Sequence, residues 1–158
     1  MGRRKSWREK LYDAQGLPRV TPLEGKLRAK WGPGTLLVPS PVEILEIMQQ
    51  VPPGRVITQE EIRQVLARRH GATLTCPLTT GIFVNIVAWA SEEERLESGT
   101  LLAPYWRTLK RNGALNPRFP GGQERHRHLL EREGLTVAPR RKTWRVADWQ
   151  QHLWVPEA

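Results

Sequence analysis

The chain has 158 residues, enough for one domain with a hydrophobic core. Lys and Arg number 25 against 16 Asp and Glu, so the formal net charge is +9 and the pI is about 10.6, a balance that favours a polyanionic partner such as nucleic acid. No apolar stretch is long enough to span a membrane, and none follows the basic start MGRRKSWREK. With one cysteine and four scattered histidines, the sequence predicts no disulfide, no metal and no cofactor. A cytoplasmic, nucleoid-associated protein is expected.

Residues 1–38 are predicted to form an irregular basic arm with one short strand at Thr35–Val38, because prolines and glycines punctuate the segment. Two interpretations stay open: a solvated tail, or an arm that contacts phosphates. The first ten residues carry five cations, namely Arg3, Arg4, Lys5, Arg8 and Lys10.

Two helices follow with recognisable ends. In SPVEILEIMQQ, Ser40 is the predicted cap, Pro41 suits the first helical position, and Glu43 completes a capping box. The second helix is predicted to be capped by Thr58 and to stop at Gly71.

The segment TLTCPLTTGIFVNIVAWASEEERLESG is predicted to be a third helix that starts at Pro77, capped by Thr75 or Cys76. Two short helices joined by a tight link, the second opening with small polar residues, are typical of a helix-turn-helix motif. The side chains expected to face outward from this recognition helix are those of Thr79, Thr80 and Asn85.

A loop or small wing follows at residues 101–122, in LLAPYWRTLKRNGALNPRFPGG. Its cations, with no acid among them, are Arg107, Lys110, Arg111 and Arg118. The helix in GGQERHRHLLEREG is predicted to bury Leu129 and Leu130 and to end at Gly134. A basic, Trp-containing extension is expected at residues 138–158, with a strand in KTWRV and a last helical turn in VADWQQHLW.

From Pro41 to Val137 the sequence resembles the DNA-binding domain of the O6-alkylguanine-DNA alkyltransferases. The matching landmarks, in order, are VPPGRVITQEEI, the helix from Pro77, PYWR, and FPGGQERHRHLLEREG. In that family the corresponding motifs read Gly-Glu-Val-x-Ser-Tyr, a recognition helix, Pro-Cys-His-Arg, and Tyr-x-Gly-Gly before a helix that ends in Glu-Gly. The resemblance implies a mainly α fold with a small β wing, as a winged helix-turn-helix-like domain over residues 39–137.

The chain departs from this family at the reactive motif. Tyr105 stands at the position of the nucleophilic cysteine and Trp106 at that of its histidine, so Glu133 has no histidine to orient. A phenol, with an ordinary pKa near ~10, cannot replace an activated thiolate at neutral pH. The pattern is similar to the alkyltransferase-like branch, and to an uncharacterised short bacterial subgroup with PYWR motifs. The branch implies a non-enzymatic protein that flips alkylated guanine and hands the lesion to nucleotide excision repair.

Two more departures affect base flipping. Gln59 matches the family's phosphate-rotating tyrosine, and Leu78 falls near its finger arginine. An apolar wedge can fill a gap in the base stack, but it carries no charge. The residues predicted to form an aromatic pocket for the extruded base are Tyr105, Trp106, Arg107, Gln59, Phe119, Gly121 and Gly122. The residues predicted to contact DNA are Thr79, Thr80, Leu78, Asn85, Lys110, Arg111 and Arg118, with Arg107 as a further phosphate contact.

The resulting hypothesis is a monomer that binds double-stranded DNA and recognises alkylated or otherwise damaged bases. Core packing under the wing remains an alternative role for Tyr105 and Trp106. A second hypothesis makes Cys76 an alkyl acceptor, because a helix N-terminus lowers the pKa of a thiol. A third is that the fold serves to bind structured RNA or a partner protein.

Overall fold

The structure is a computed structural model that describes residues 4–157, without the side chain of Arg140. The described α-helices are Trp7–Tyr12 (α1), Gly25–Trp31 (α2), Pro41–Gln50 (α3), Gln59–His70 (α4), Pro77–Ser98 (α5) and Gly122–Glu131 (α6). The described strands are Arg19–Pro22 (β1), Thr35–Val38 (β2), Ile57–Thr58 (β3), Leu74–Thr75 (β4), Thr108–Leu109 (β5), Val137–Arg140 (β6) and Thr143–Val146 (β7). Short 3-10 helices occur at Tyr105–Arg107, Arg111–Gly113 and Trp149–His152. The predicted fold class, mainly α with a small β component, is confirmed.

The strands form three small sheets. β2 pairs antiparallel with β1 and parallel with β4, so the segment before α3 joins the link between α4 and α5. β3 and β5 are a parallel pair, and β6 and β7 form an antiparallel hairpin. The parallel pair places the start of α4 beside the segment that follows Tyr105–Arg107.

The prediction of an irregular N-terminal arm is wrong for the described residues. Ser6 and Glu9 form a capping box at the start of α1, and Trp7 stacks on Trp89 of α5 with ring centroids 5.7 Å apart. Arg8 pairs with Glu93 and Glu94 of α5, at 3.2 and 2.8 Å. Contacts with α5 order this segment. Its partners lie more than 80 residues away in the chain, so no local pattern reveals them.

This packing also removes cations from the predicted phosphate-contacting arm. Arg8 is neutralised by glutamates of α5, and Lys5 pairs with Asp13 at 2.6 Å. Arg4 is exposed, whereas Arg3 lies outside the described residues. The N-terminal segment therefore packs on α5 and stabilises it.

The predicted ends of α3 and α4 agree closely with the structure, whereas α6 ends at Glu131 and a turn leads on to Gly134. Ser40 and Glu43 form the predicted capping box of α3, and Gly71 ends α4 with a φ of 64°. Thr58 occupies the cap position of α4, but its hydroxyl bonds to Glu61 instead of a backbone N–H. α5 starts at Pro77 as predicted, and its 22 residues make it much longer than a short recognition helix.

α5 forms the centre of the core. Its buried face, which includes Val84, Val87 and Ala88, packs against α1, α3 and α4. A second cluster joins Val56 and Leu109 to Leu130 of α6 and to the hairpin residues Val137 and Val146. The tail adds backbone bonds on both sides of Val56, from Val56 N to His152 O at 3.0 Å and from Trp154 N to Val56 O at 2.8 Å.

The C-terminal extension is thus part of the same folded unit. The predicted domain boundary at residue 138 falls inside β6, and the strand predicted in KTWRV is β7. Both strands bury a valine in the second cluster, so the hairpin packs on the same core as Leu109 and Leu130.

Candidate nucleic-acid interface

One exposed stripe runs along α5. Leu78, Ile82, Asn85 and Trp89 are spaced by four, three and four residues, so they share one helix face. Leu78 is 72% exposed and Ile82 is also exposed, although both are apolar. Farther along the stripe, Asn116 Nδ2 donates to Asn85 Oδ1 at 2.9 Å. The stripe therefore starts with a bare apolar edge and ends at the loop of residues 116–118.

The start of α4 lies against the same helix. A Cβ atom on Gly81 would come 3.6 Å from Gln59 Oε1, so α5 approaches α4 closely at this point. In the parallel pair, Thr58 is opposite Leu109, which places Lys110 one residue beyond the last pair and next to Gln59. The predicted pocket residue Gln59 is thus a buried side chain between α5 and the segment that carries Lys110.

Three of the predicted phosphate contacts are exposed cations. Within residues 4–157, no ion pair engages Lys110, Arg111 or Arg118. The carbonyl of Arg118 accepts a hydrogen bond from Trp89 Nε1 at 2.8 Å, which fixes this loop beside the α5 stripe. These cations are available to a polyanion.

The prediction that Thr80 faces outward is wrong. Thr80 is fully buried, and its hydroxyl donates to the carbonyl of Cys76 at 2.7 Å. It precedes Val84 by four residues and Val87 by seven, which is the spacing of the core face. Thr79 is half-buried, with its hydroxyl 3.5 Å from the same carbonyl, so the exposed face at the start of α5 centres on Leu78.

The predicted aromatic pocket is closed by its own side chains. Tyr105 is 1% exposed and Phe119 is 2% exposed, with their rings edge-to-face at 5.3 Å. The Tyr105 hydroxyl donates to Glu92 Oε1 at 2.8 Å. The Tyr105 ring therefore fills the space of the predicted pocket and offers no open wall to an extruded base.

Burial, together with the bond to the Glu92 carboxylate, raises the pKa of Tyr105 well above its ordinary value. Burial alone would also raise the pKa of Glu92, but hydrogen bonds from Arg95 and Tyr105 and the charge of Arg125 lower it. Arg125 Nη2 lies 3.2 Å from Glu92 Oε1. The phenol is therefore neutral and the carboxylate ionised at neutral pH.

Arg107 is an internal ion-pair partner and not the predicted phosphate contact. Its Nη2 lies 2.6 Å from Glu133 Oε2, its Nη1 donates to the carbonyl of Val51 at 2.8 Å, and its side chain is 13% exposed. Trp106 Nε1 and the backbone N–H of Gly54 also donate to Glu133, at 3.1 and 3.2 Å. Glu133 thus anchors the turn at Tyr105–Arg107 through side-chain and backbone donors.

His126 locks the same turn from the opposite side. The backbone N–H of Asn116 donates to His126 Nδ1 at 3.1 Å, so the ring proton is on Nε2, which donates to the carbonyl of Trp106 at 2.7 Å. Burial lowers the pKa of His126 to about 4. A neutral imidazole therefore connects the wing loop to the turn.

The predicted pocket glycines have an internal role as well. Gly121 has a φ of 81°, and a Cβ atom there would lie 2.6 Å from Arg125 Cβ. Glycine is needed at this position because the Arg125 stem packs on the bare backbone and brings its guanidinium to Glu92. Gly122 also has a positive φ, of 68°, at the first residue of α6.

Cys76, the alternative nucleophile, caps α5 without a side-chain bond. Its backbone N–H donates to the carbonyl of Leu37 at 2.8 Å and its own carbonyl is occupied by Thr80. His70, the nearest histidine in sequence, bonds through Nε2 to Glu43. In the part of the chain that the structure describes, no hydrogen bond reaches the Cys76 sulfur.

Within residues 4–157, the structure has neither a metal-binding cluster nor a membrane-spanning helix. No group of three or more His, Cys, Asp or Glu side chains there could hold a metal ion. None of the described helices combines the length and the apolar character that a membrane span requires.

Sequence reasoning missed the residues that hold the turn. Glu92 lies in the acidic run SEEER, and Asn116 and His126 lie in loops and helices with no motif of their own. No sequence signal marks them, because each acts through a contact with a distant segment. Glu133 was recognised only as a family position, and its pairing with Arg107 depends on the fold.

No family model matches the chain, and no curated protein matches it by sequence. Among solved structures, it resembles S. pombe Atl1 in complex with damaged DNA containing O6-carboxymethylguanine, and S. pombe ATL in complex with DNA. Both comparisons give a TM-score of 0.51 and 20% identity, and they cover 73% of this chain and 94% of the other. The chain therefore has the alkyltransferase-like fold.

Proposed function

We propose that this protein is a non-enzymatic DNA-binding protein that recognises alkylated or otherwise damaged bases in duplex DNA and marks them for repair. The observation that carries the proposal is the exposed apolar start of α5 beside free cations, on a fold shared with a protein that was crystallised with damaged DNA. The net charge of +9 supports a polyanionic partner. Nucleotide excision repair proteins are the downstream partners that the resemblance implies.

α4 and α5 serve as the two helices of a helix-turn-helix motif in this proposal. The first two turns of α5 enter a groove, and Lys110, Arg111 and Arg118 contact phosphates on either side. Phosphate contacts position the protein and supply the salt-dependent part of the affinity. They do not distinguish a damaged base pair from an intact one.

Leu78 supplies the discrimination. An exposed apolar side chain can insert between base pairs and partly unstack them, at a cost of a few kcal/mol per step. The cost is lower where a base is damaged or mispaired, so a wedge prefers such sites. Since Tyr105 and Phe119 are buried, selectivity in this proposal comes from unstacking around Leu78 and not from a preformed aromatic pocket.

Replacing Leu78 with Ala is expected to lower the preference for a duplex carrying one O6-methylguanine by about tenfold, because a methyl group is too short to act as a wedge. Affinity for the intact duplex is expected to stay within about twofold, since the phosphate contacts remain. Fluorescence anisotropy titrations of the two duplexes, at ~50 and ~200 mM salt, measure both quantities.

The matched control is Leu96→Ala. Leu96 is 76% exposed on the same helix, but it lies 18 positions farther along, near the C-terminal end of α5. It is expected to change neither affinity nor preference. Equal losses in the two variants, or no loss in either, would contradict the role of Leu78.

The intact mass of the protein is expected to stay constant after incubation with DNA that contains O6-methylguanine. Tyr105 is neutral and buried, and Cys76 has no bonded base in the described structure. Mass spectrometry of the protein, followed by peptide mapping, measures this directly. A gain of one methyl group on Cys76 would contradict the proposed non-enzymatic function and show that the protein is an alkyl acceptor.

A further inference from the structure

We propose that the β6–β7 hairpin is a second DNA-contacting surface, which binds phosphates of the duplex beyond the stretch reached by α5. The inference rests on the proposed function only in taking duplex DNA as the partner, and it does not depend on lesion recognition. The surface, here called the hairpin strip, consists of Lys110, Arg111, Arg141, Lys142 and Arg145.

The hairpin is tied to the turn that carries Lys110 and Arg111. Leu115 N donates to the carbonyl of Trp144 at 2.9 Å, and Arg145 Nη1 donates to the carbonyl of Asn112 at 3.0 Å. From the other side, Gln123 of α6 donates to the carbonyl of Lys142 at 3.2 Å and accepts from Trp144 N at 3.1 Å. The backbone that carries the cations of the strip is therefore held on both sides before any ligand binds.

Two grooves in this region have no acidic residue in their walls. One, of about 290 Å³, is lined by Lys110, Arg111 and Lys142 together with neutral side chains and backbone. The other, of about 680 Å³, is lined by Arg141, Lys142, Thr143 and Arg145. Lys142 and Thr143 line both grooves, so the two adjoin each other along the hairpin and are together called the cationic track.

The cations of the track are not neutralised within the protein. In residues 4–157, none of the five forms an ion pair, whereas Arg8, Arg107 and Arg125 do. Holding like charges together is unfavourable in the free protein and becomes favourable when phosphates lie between them. This charge pattern fits a regularly spaced polyanion.

The hairpin turn has a sequence that favours charge over local stability. Arg140 pairs with Thr143, so Arg141 and Lys142 form a two-residue loop, a position where Asn-Gly is the usual choice. Arg141 has a φ of 57°, a conformation that costs free energy for a residue with a Cβ. Two cations in a strained turn are more consistent with a surface that contacts a ligand than with a loop that only connects two strands.

The strip is also continuous with the proposed interface on α5. Lys110 follows Leu109, which pairs with Thr58, and Gln59 lies against Gly81 of α5. We place the hairpin tip on the path of the duplex beyond Lys110, since Lys110 and Lys142 line one groove. The partner that this path fits is the phosphate backbone that flanks the α5 site.

The test compares two variants that each remove two charges. Arg141→Asn with Lys142→Gln removes the hairpin tip, and Asn tolerates the positive φ. The matched control, Lys26→Gln with Arg28→Gln, removes two exposed cations from α2. Binding is measured to intact duplexes of about 10 and about 24 base pairs, roughly one and two helical turns, across a salt series.

The hairpin variant is expected to bind the longer duplex about tenfold more weakly and to lose about two units of its logarithmic salt slope, because two phosphate contacts are gone. Its affinity for the short duplex is expected to match that of the control. Equal effects of both variants on the longer duplex would overturn the inference and leave lesion recognition untouched. If the native chain shows no preference for O6-methylguanine, while the hairpin variant still binds the longer duplex more weakly, only the proposed function is overturned.

The same titration with duplex RNA shows whether the hairpin strip binds the phosphates of DNA or those of RNA. The hairpin variant is expected to change DNA affinity more than RNA affinity, because the track follows an interface shaped for a B-form groove. A hairpin effect confined to RNA would also overturn the inference, since the strip would then serve a different nucleic acid.

Discussion

Replacement of Glu133 by Ala is expected to lower the free energy of unfolding by about 3–5 kcal/mol, because the change leaves Arg107 as an uncompensated charge in a largely buried site. Glu133 also accepts hydrogen bonds from Trp106 and from the backbone of Gly54, and both donors would lose their partner. Urea unfolding followed by tryptophan fluorescence measures the loss.

The control for this prediction lies two residues earlier, in α6. Glu131 is 47% exposed and sits 3.5 Å from Arg127 in an i,i+4 ion pair. Such exposed pairs contribute at most about 1 kcal/mol, so Glu131→Ala is expected to cost far less than Glu133→Ala. Similar losses in the two variants would show that Glu133 does not anchor the turn.

The pH dependence of the same contact has a defined sign. Burial alone would raise the pKa of Glu133, but hydrogen bonds from Arg107, Gly54 and Trp106 outweigh burial and lower it. The unfolded state therefore binds the proton more readily than the folded state does. The stability from this carboxylate is present above its ordinary pKa of 4.5 and is lost as the pH falls through the lowered value.

Replacement of Tyr105 by Ala is expected to destabilise the protein by about 3–5 kcal/mol, because it empties a ring-sized volume in the main core. Tyr105→Phe keeps the ring and removes only the bond to Glu92, which retains Arg95 and Arg125 as partners. Its expected cost is about 1 kcal/mol. Both values are measured by urea unfolding.

The effect of Tyr105 on DNA binding is tested with Tyr105→Phe, which is expected to stay folded because the ring remains. Its preference for O6-methylguanine duplex is expected to equal that of the native chain, since a side chain that is 1% exposed makes no contact with a base. A clear loss of preference in Tyr105→Phe would mean that the phenol reaches the base in the complex. The aromatic pocket would then return as the element that selects the lesion.

The closed pocket and the neutral state of the phenol have one cause in this chain, which is the packing of Tyr105. At the cysteine position the phenol ring occupies the space between Phe119 and Trp106, and its hydroxyl is consumed by Glu92. The tryptophan at the histidine position donates to Glu133. The turn at Tyr105–Arg107 is thus a packed and hydrogen-bonded part of the core.

The local features of the fold could be predicted from the sequence because short-range chemistry determines them. The Ser40–Glu43 capping box, the proline start of α5 and the glycine end of α4 each depend on residues within a few positions of one another. The strand at Thr35–Val38 was predicted within the same limits. The order of motifs also indicated the alkyltransferase-like fold.

Only the tertiary structure decided which side chains are available to a ligand. Thr80 was assigned to the outer face, but the core side of α5 is set by α1, α3 and α4 together. Arg107 belongs to an acid-free run in sequence, yet its partner Glu133 lies 26 residues away, and the α1 residue Arg8 finds Glu93 across 85 residues.

The sequence by itself determined the charge balance, the fold class, the ends of α3 and α4 and the start of α5, since these are properties of residue types and their local spacing. The tertiary structure decided that Tyr105 is core, that Leu78 is bare, and that Lys110 and Lys142 line one groove. The physical reason is that burial and ion pairing are set by contacts between distant segments, whose free energies no local pattern contains.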